Sequence, residues 1–223
     1  MAPLYPLTTY GKVKFFYYCA SFTLWFCCFC RFLILLPLVG RRFLPGGMAD
    51  FFHVVSALPL IGNVLNMQSS GWRGSSFYWS YFNSLKMIAL CYLVIFPHPK
   101  IAKHTSYSFL ISSWSVSNII HTAYYAFKTK TRTSPQFLFW LKYHHFYVTF
   151  PLGHLAEMVL LFLSLIFVED DSWFELILKG ILLSYIPIGY FYWGHLKNKK
   201  KKKYDKIMEK RVHDKTSNPP GST

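Results

Sequence analysis

The chain has 223 residues, 53% of them hydrophobic and 20% aromatic, with a formal net charge of +15 and a mean hydropathy of +0.26. Apolar residues gathered into long blocks at that density exclude an ordinary water-soluble domain and point to a membrane protein. The charge is uneven: from Lys197 onward ten Lys or Arg face three acids, so this tail carries +7 of the total. A basic tail beside an apolar span reads as a cytoplasmic anchor, with no nucleic-acid partner implied.

Residues 1–14 form a short N-terminal tail. Six apolar blocks follow at about 15–39, 50–67, 77–97, 107–127, 139–168 and 173–194. Each approaches the roughly 20 helical residues needed to cross a hydrocarbon core. The first is too long for a cleaved signal peptide and is followed by Arg41 and Arg42 rather than a small-residue cleavage site. Cys19, Cys27, Cys28 and Cys30 lie inside it and Cys91 lies inside the third block. Neither group has the polar-loop spacing of a disulfide framework or the partner ligands of a zinc site. Breakers predict connections at 44–50 (LPGGMAD), 69–76, 97–100, 128–135 and 169–172. The expected architecture is all-α: a single six-transmembrane-helix bundle over 15–196, then a basic, largely disordered tail over 197–223. A cytoplasmic tail makes the N-terminus cytoplasmic too. The inner segments then hold Lys12, Lys14, Arg73, Lys128, Lys130, Arg132 and the tail, and the outer ones hold Arg41, Arg42, Lys100 and Lys103 together with Glu169, Asp170 and Asp171.

Ionisable side chains at bilayer depth are costly and usually face a bundle interior. Arg31 and Lys179 lie near block ends and can reach the interface. Lys86 and Glu157 lie near the middles of the third and fifth blocks, at similar depth if both helices run the same way. At about 100° per residue, Tyr143, Tyr147, Phe150, His154 and Glu157 fall along one stripe of the fifth helix. Pro151 should kink that helix, and Gly153 should admit a close neighbour. A buried carboxylate with a line of ring donors suits acid–base chemistry, and equally suits a polar seam between helices. A Gly-rich phosphate loop, an H-E-x-x-H and a serine-nucleophile motif are absent. A cysteine phosphatase would need C-x5-R, but Cys91 is followed at that offset by Pro97.

Three stretches then resemble successive signatures of one family: SSWSVSNIIHTAYYAF (112–127), LKYHHFYVTFPLGHLAE (141–157) and SYIPIGYFYWGHLKNKKKK (184–202). Their most specific elements are Trp114-Ser115, Pro151-x-Gly153 with Glu157, and Tyr185 with Pro187 before His195 and the lysine run. The family is that of the very-long-chain (3R)-3-hydroxyacyl-CoA dehydratases, also called protein-tyrosine-phosphatase-like. The resemblance covers most of 15–203. It implies a six-helix bundle of the endoplasmic reticulum membrane enclosing an acyl-chain tunnel, both termini cytoplasmic. It implies dehydration of (3R)-3-hydroxyacyl-CoA to trans-2-enoyl-CoA in fatty-acid elongation. The implied partners are the acyl-CoA substrate, membrane lipid, and the condensing enzyme and reductases of that cycle; no metal or other cofactor is implied.

In the family a tyrosine and a glutamate seven residues later form the catalytic pair. Glu157 matches the glutamate, but the tyrosine position is Phe150, whose ring donates nothing. The fourth-block Glu, Arg and Tyr of the family correspond to Asn118, His121 and Thr122, the third-block Arg falls at or beside Lys86, and the fifth-block Arg becomes Lys142. The resemblance thus assigns Lys86, Asn118, His121, Tyr143 and Tyr185 to the substrate cavity. Three readings of Phe150 stay open: His154 substitutes as donor; Tyr147 or Tyr143 reaches the site; or the chain is a catalytically impaired paralogue that binds acyl lipids or elongation enzymes. A transporter built on Lys86 and Glu157 finds no support in an inverted repeat.

Overall fold

The structure is a computed structural model and describes residues 7–70, 75–131, 134–168, 172–205 and 207–209. Arg73, Arg132, the acids at 169–171 and most of the basic tail lie outside the described residues. Seven α-helices follow one another: α1 (Thr9–Ser56), α2 (Leu58–Ser70), α3 (Ser75–Ala89), α4 (Thr105–Thr131), α5 (Gln136–His144), α6 (Phe146–Leu165) and α7 (Trp173–Lys200). A π-turn at Leu90–Ile95 continues α3, a 3-10 turn at Ile101–Lys103 precedes α4, and no strand occurs among the described residues. Three continuous helical stretches are long and apolar enough to cross a bilayer: Thr9–Met67, Gln136–Leu165 and Trp173–Glu209. Large apolar side chains such as Phe16, Leu38, Phe43, Phe162 and Leu183 point outward, as lipid-facing surfaces require. This is an all-α membrane protein. Helices also cover the third and fourth predicted blocks, but α4 is rich in Ser and Thr and is less apolar.

The expected connection at 44–50 is helical. The break falls instead at Gly40, whose φ of 73° suits glycine and few other residues. The reason lies in side-chain periodicity. Leu44, Met48, Phe52 and Val55 recur at helical spacing and are all buried. Pro45 stands about one turn past the break, where the helix is only starting, so its missing N–H costs at most a single bond. Packing of that stripe outweighs the turn propensity of Pro45-Gly46-Gly47. The predicted block 50–67 is therefore divided at Ala57 between the end of α1 and α2.

Residues up to Tyr185 form one compact unit and those from Ile186 on a second. Within the first, α4 packs against both α1 and α6. Phe52 is the hub of its core: the ring stacks on Trp114 at 5.7 Å and meets Trp25 and Tyr107 edge-on at 6.3 and 5.8 Å. Such pairs add to plain area burial. The second unit carries exposed Tyr190 and Phe191, with Lys197 over the Trp193 ring. Aromatic residues followed by lysines are the usual dressing of a membrane–water boundary.

Close approach of α4 and α6 depends on Gly153. A Cβ there would sit 2.8 Å from Ser113 Oγ and 3.4 Å from Ser113 Cβ. Ser113 Oγ is also engaged with the Leu110 carbonyl, so rotating it away breaks a bond. Gly153→Ala is therefore expected to lower stability in detergent by about 1–3 kcal/mol, and adding Ser113→Ala should recover part of that loss. Thermal unfolding of the single and double variants checks this; equal melting temperatures for wild type and Gly153→Ala would contradict the tight crossing.

Candidate active site

Glu157 lies on α6 facing α4, with only 2% of its side chain exposed. Two other helices supply its hydrogen-bond partners. Lys86 Nζ of α3 donates to Oε2 at 2.6 Å, and the Trp114 indole Nε1–H of α4 donates to Oε1 at 2.9 Å. The Tyr185 ring of α7 lies beside this cluster, stacked on His154 at 5.0 Å. Each carboxylate oxygen thus has a fixed donor. A buried charge of this kind is tolerated only when so paired. Lys86 is 18% exposed and also lies over the Tyr185 ring at 5.8 Å.

His154, one turn before Glu157, is stacked on two rings: Phe150 at 5.2 Å and Tyr185 at 5.0 Å, both within 19° of parallel. Its Nε2 is 3.2 Å from the Tyr185 carbonyl oxygen. A carbonyl only accepts, so Nε2 carries the hydrogen in that bond. In a neutral imidazole Nδ1 is then bare, and it stands 4.0 Å from Glu157 Oε2.

The other sequence candidates are placed differently. Tyr147 is 40% exposed, its ring against Phe146 and His144. On an ideal helix it falls about 80° around from Glu157, whereas Phe150 falls only about 20° away. Asn118 donates to the Trp114 carbonyl at 2.9 Å and so sits one turn from the indole that holds Glu157. Tyr143 and His121 belong to another aromatic group: Tyr143 packs on Phe139 and His121 on Tyr125, beside Lys142 over the Tyr124 and Tyr125 rings at 4.1 and 3.6 Å. The interruption in the fifth predicted block falls at His145 between α5 and α6, while Pro151 lies inside α6. Arg31 rests over Phe51, and Lys179 is exposed and paired with Glu175 one turn away.

Sequence reasoning did not place Trp114 on the carboxylate. Its signal was present: an indole N–H in mid-helix, where a buried donor needs an acceptor from a neighbouring helix.

The family model described as "Protein tyrosine phosphatase-like protein, PTPLA" matches residues 63–206, which takes in Lys86, Trp114, Phe150, His154, Glu157 and Tyr185. The chain belongs to the PTPLA family. Among curated relatives, the β-1,6-glucan synthesis-associated protein KEG1 of Saccharomyces cerevisiae is 31% identical over 184 residues, 79% of this chain and 90% of that protein. The very-long-chain (3R)-3-hydroxyacyl-CoA dehydratase PASTICCINO 2 of Arabidopsis thaliana is 26% identical over 89 residues, 40% of each chain. A probable dehydratase of the same kind from Schizosaccharomyces pombe is 33% identical over 97 residues, 43% of this chain and 46% of that protein. The matched segments thus span less than half of these two dehydratases, while the match to KEG1 is nearly end to end. No solved structure matches. Within the PTPLA match, Glu157 is a buried carboxylate held by donors from Lys86 and Trp114.

Proposed function

We propose that this PTPLA-family protein is a hydro-lyase of fatty-acid elongation that converts (3R)-3-hydroxyacyl-CoA to trans-2-enoyl-CoA. The observation that carries the reading is Glu157, buried and clamped by Lys86 and Trp114. Glu157 takes the proton from C2. Lys86 and Trp114 aim the carboxylate, and the Lys86 ammonium adds positive charge beside the enolate that develops on the thioester, the kind of fixed electrostatic support that lowers such barriers. Six spans over 15–196 enclose the acyl chain in a tunnel. The protein resides in the endoplasmic reticulum membrane with both termini cytoplasmic, alongside the condensing enzyme and reductases of the cycle. Dehydratase names among the relatives support the substrate class. Purified protein given (3R)-3-hydroxystearoyl-CoA should form the trans-2-enoyl product; no product above a mock preparation would overturn the reading.

A second reading is favoured by Phe150 and by the extent of the KEG1 match. Here the chain is a catalytically impaired paralogue that keeps the bundle and the Glu157 cluster as a structural core, with a role associated with β-1,6-glucan synthesis. Two measurements separate the readings. An inactive wild type that gains dehydratase activity on Phe150→Tyr supports the second, as does restored β-1,6-glucan content in Saccharomyces cerevisiae cells whose KEG1 is replaced by this chain. An active wild type that gains no more than a few-fold from Phe150→Tyr supports the first.

A further inference from the structure

Dehydration needs two groups: a base for the C2 proton and a donor for the departing hydroxyl. Glu157 supplies the first, and Phe150 cannot supply the second. His154 is poorly placed to do so, because its one hydrogen in the neutral ring is directed to the Tyr185 carbonyl and Nδ1 faces the carboxylate. The Trp114 N–H is a far weaker acid than a phenol and is directed to Glu157, Lys86 holds Glu157 and serves as the positive charge beside the enolate, and Tyr147 is 40% exposed. Tyr185 is different. It is 6% exposed, its ring lies 5.8 Å from the Lys86 ammonium that holds Glu157 and nearly parallel on His154, and its own backbone carbonyl is the group that His154 grips.

We propose that Tyr185 is the catalytic proton donor of this chain, a phenol delivered from α7 to the carboxylate that the fifth-block tyrosine would otherwise serve. The inference rests on the dehydratase reading. Glu157 removes the C2 proton, and the electrons of that C–H bond become the C2=C3 double bond as the C3–O bond breaks. The Tyr185 O–H gives its proton to the departing hydroxyl, which leaves as water. The proton now on Glu157 then passes to the Tyr185 phenolate, restoring both groups with no other reactant consumed. His154 is a positioning residue: it holds Tyr185 by its carbonyl and by stacking, with Phe150 as the next ring of the same stack.

The test uses the full chain in detergent with (3R)-3-hydroxystearoyl-CoA. Tyr185→Phe is expected to lower kcat by about 10²–10⁴-fold, with KM and melting temperature near those of the wild type. A second protein carries 3,5-difluorotyrosine at position 185, which preserves shape but makes the phenol more acidic. In it the alkaline limb of the kcat–pH profile should move to lower pH, which a packing role would not do. Turnover of Tyr185→Phe within a few-fold of wild type, or an unmoved alkaline limb in the fluorinated protein, overturns the role of Tyr185 and leaves the dehydratase reading standing. A wild type without turnover overturns both.

Discussion

Glu157→Gln is expected to reduce enoyl-CoA formation by about 10²–10⁴-fold, the usual cost of removing a positioned acid–base group. The glutamine keeps the size of the side chain, and its carbonyl oxygen can still accept from Lys86 or Trp114. Its NH2 then faces the other donor and the Lys86 charge loses its partner, so melting temperature is measured alongside the rate to separate lost chemistry from lost stability. The loss should appear in kcat, because the carboxylate acts on the C–H bond that breaks. Glu157→Asp provides the graded control: it keeps the charge but withdraws the oxygens from donors now at 2.6 and 2.9 Å, and should fall between wild type and Glu157→Gln. Initial rates over a range of substrate concentrations separate kcat from KM. A Glu157→Gln protein with near-normal kcat would rule out the buried carboxylate as the base.

The second large effect concerns stability. Lys86 and Glu157 form an ion pair in which one partner is almost fully buried. Removing one partner strands the other charge in a medium that solvates it poorly, which costs about 3–5 kcal/mol in buried pairs, whereas replacing both with apolar groups is often close to neutral. Lys86→Met is accordingly expected to destabilise strongly, Glu157→Leu likewise, and the double variant Lys86→Met/Glu157→Leu much less than the sum. The 18% exposure of Lys86 makes the loss of Glu157 the milder of the two single changes, since the ammonium can reach toward polar surroundings. Denaturation in detergent of the wild type and the three variants closes a double-mutant cycle. Additive single effects would mean that the pair is not coupled.

Some of this was readable from residues alone. Two charged side chains at matching depth in mid-span could share a cavity or be solvated separately, and Lys86 and Glu157 meet. Glycine inside an apolar helix signals close approach, and Gly153 meets Ser113. Other features were hidden because they depend on which neighbour packs where. The LPGGMAD stretch has the composition of a turn, yet the stripe Leu44, Met48, Phe52, Val55 fills the core beside Trp25 and Trp114 and holds it helical. The stripe through Tyr143, Tyr147, Phe150, His154 and Glu157 is only approximate: Tyr147 lies at its edge and is exposed, and Tyr143 precedes the interruption at His145. Periodicity within one helix cannot show donors arriving from other helices. Trp114 reaches Glu157 from α4, and Tyr185 reaches Lys86 and His154 from α7, through tertiary packing.

The PTPLA match and the placement of Phe150 bear on the same question from opposite sides. The family model takes in every member of the Glu157 cluster. The phenyl ring at position 150 is packed flat against His154, which fills the space of a tyrosine ring without supplying its hydroxyl. The carboxylate at position 157 keeps its two donors from α3 and α4 all the same.

The most direct measurement compares wild type and Glu157→Gln, purified to equal folding quality, for formation of trans-2-enoyl-CoA from (3R)-3-hydroxystearoyl-CoA. Product from the wild type that falls to background in Glu157→Gln is the expected result. No product from the wild type, or equal product from both proteins, would contradict a reaction centred on the buried carboxylate.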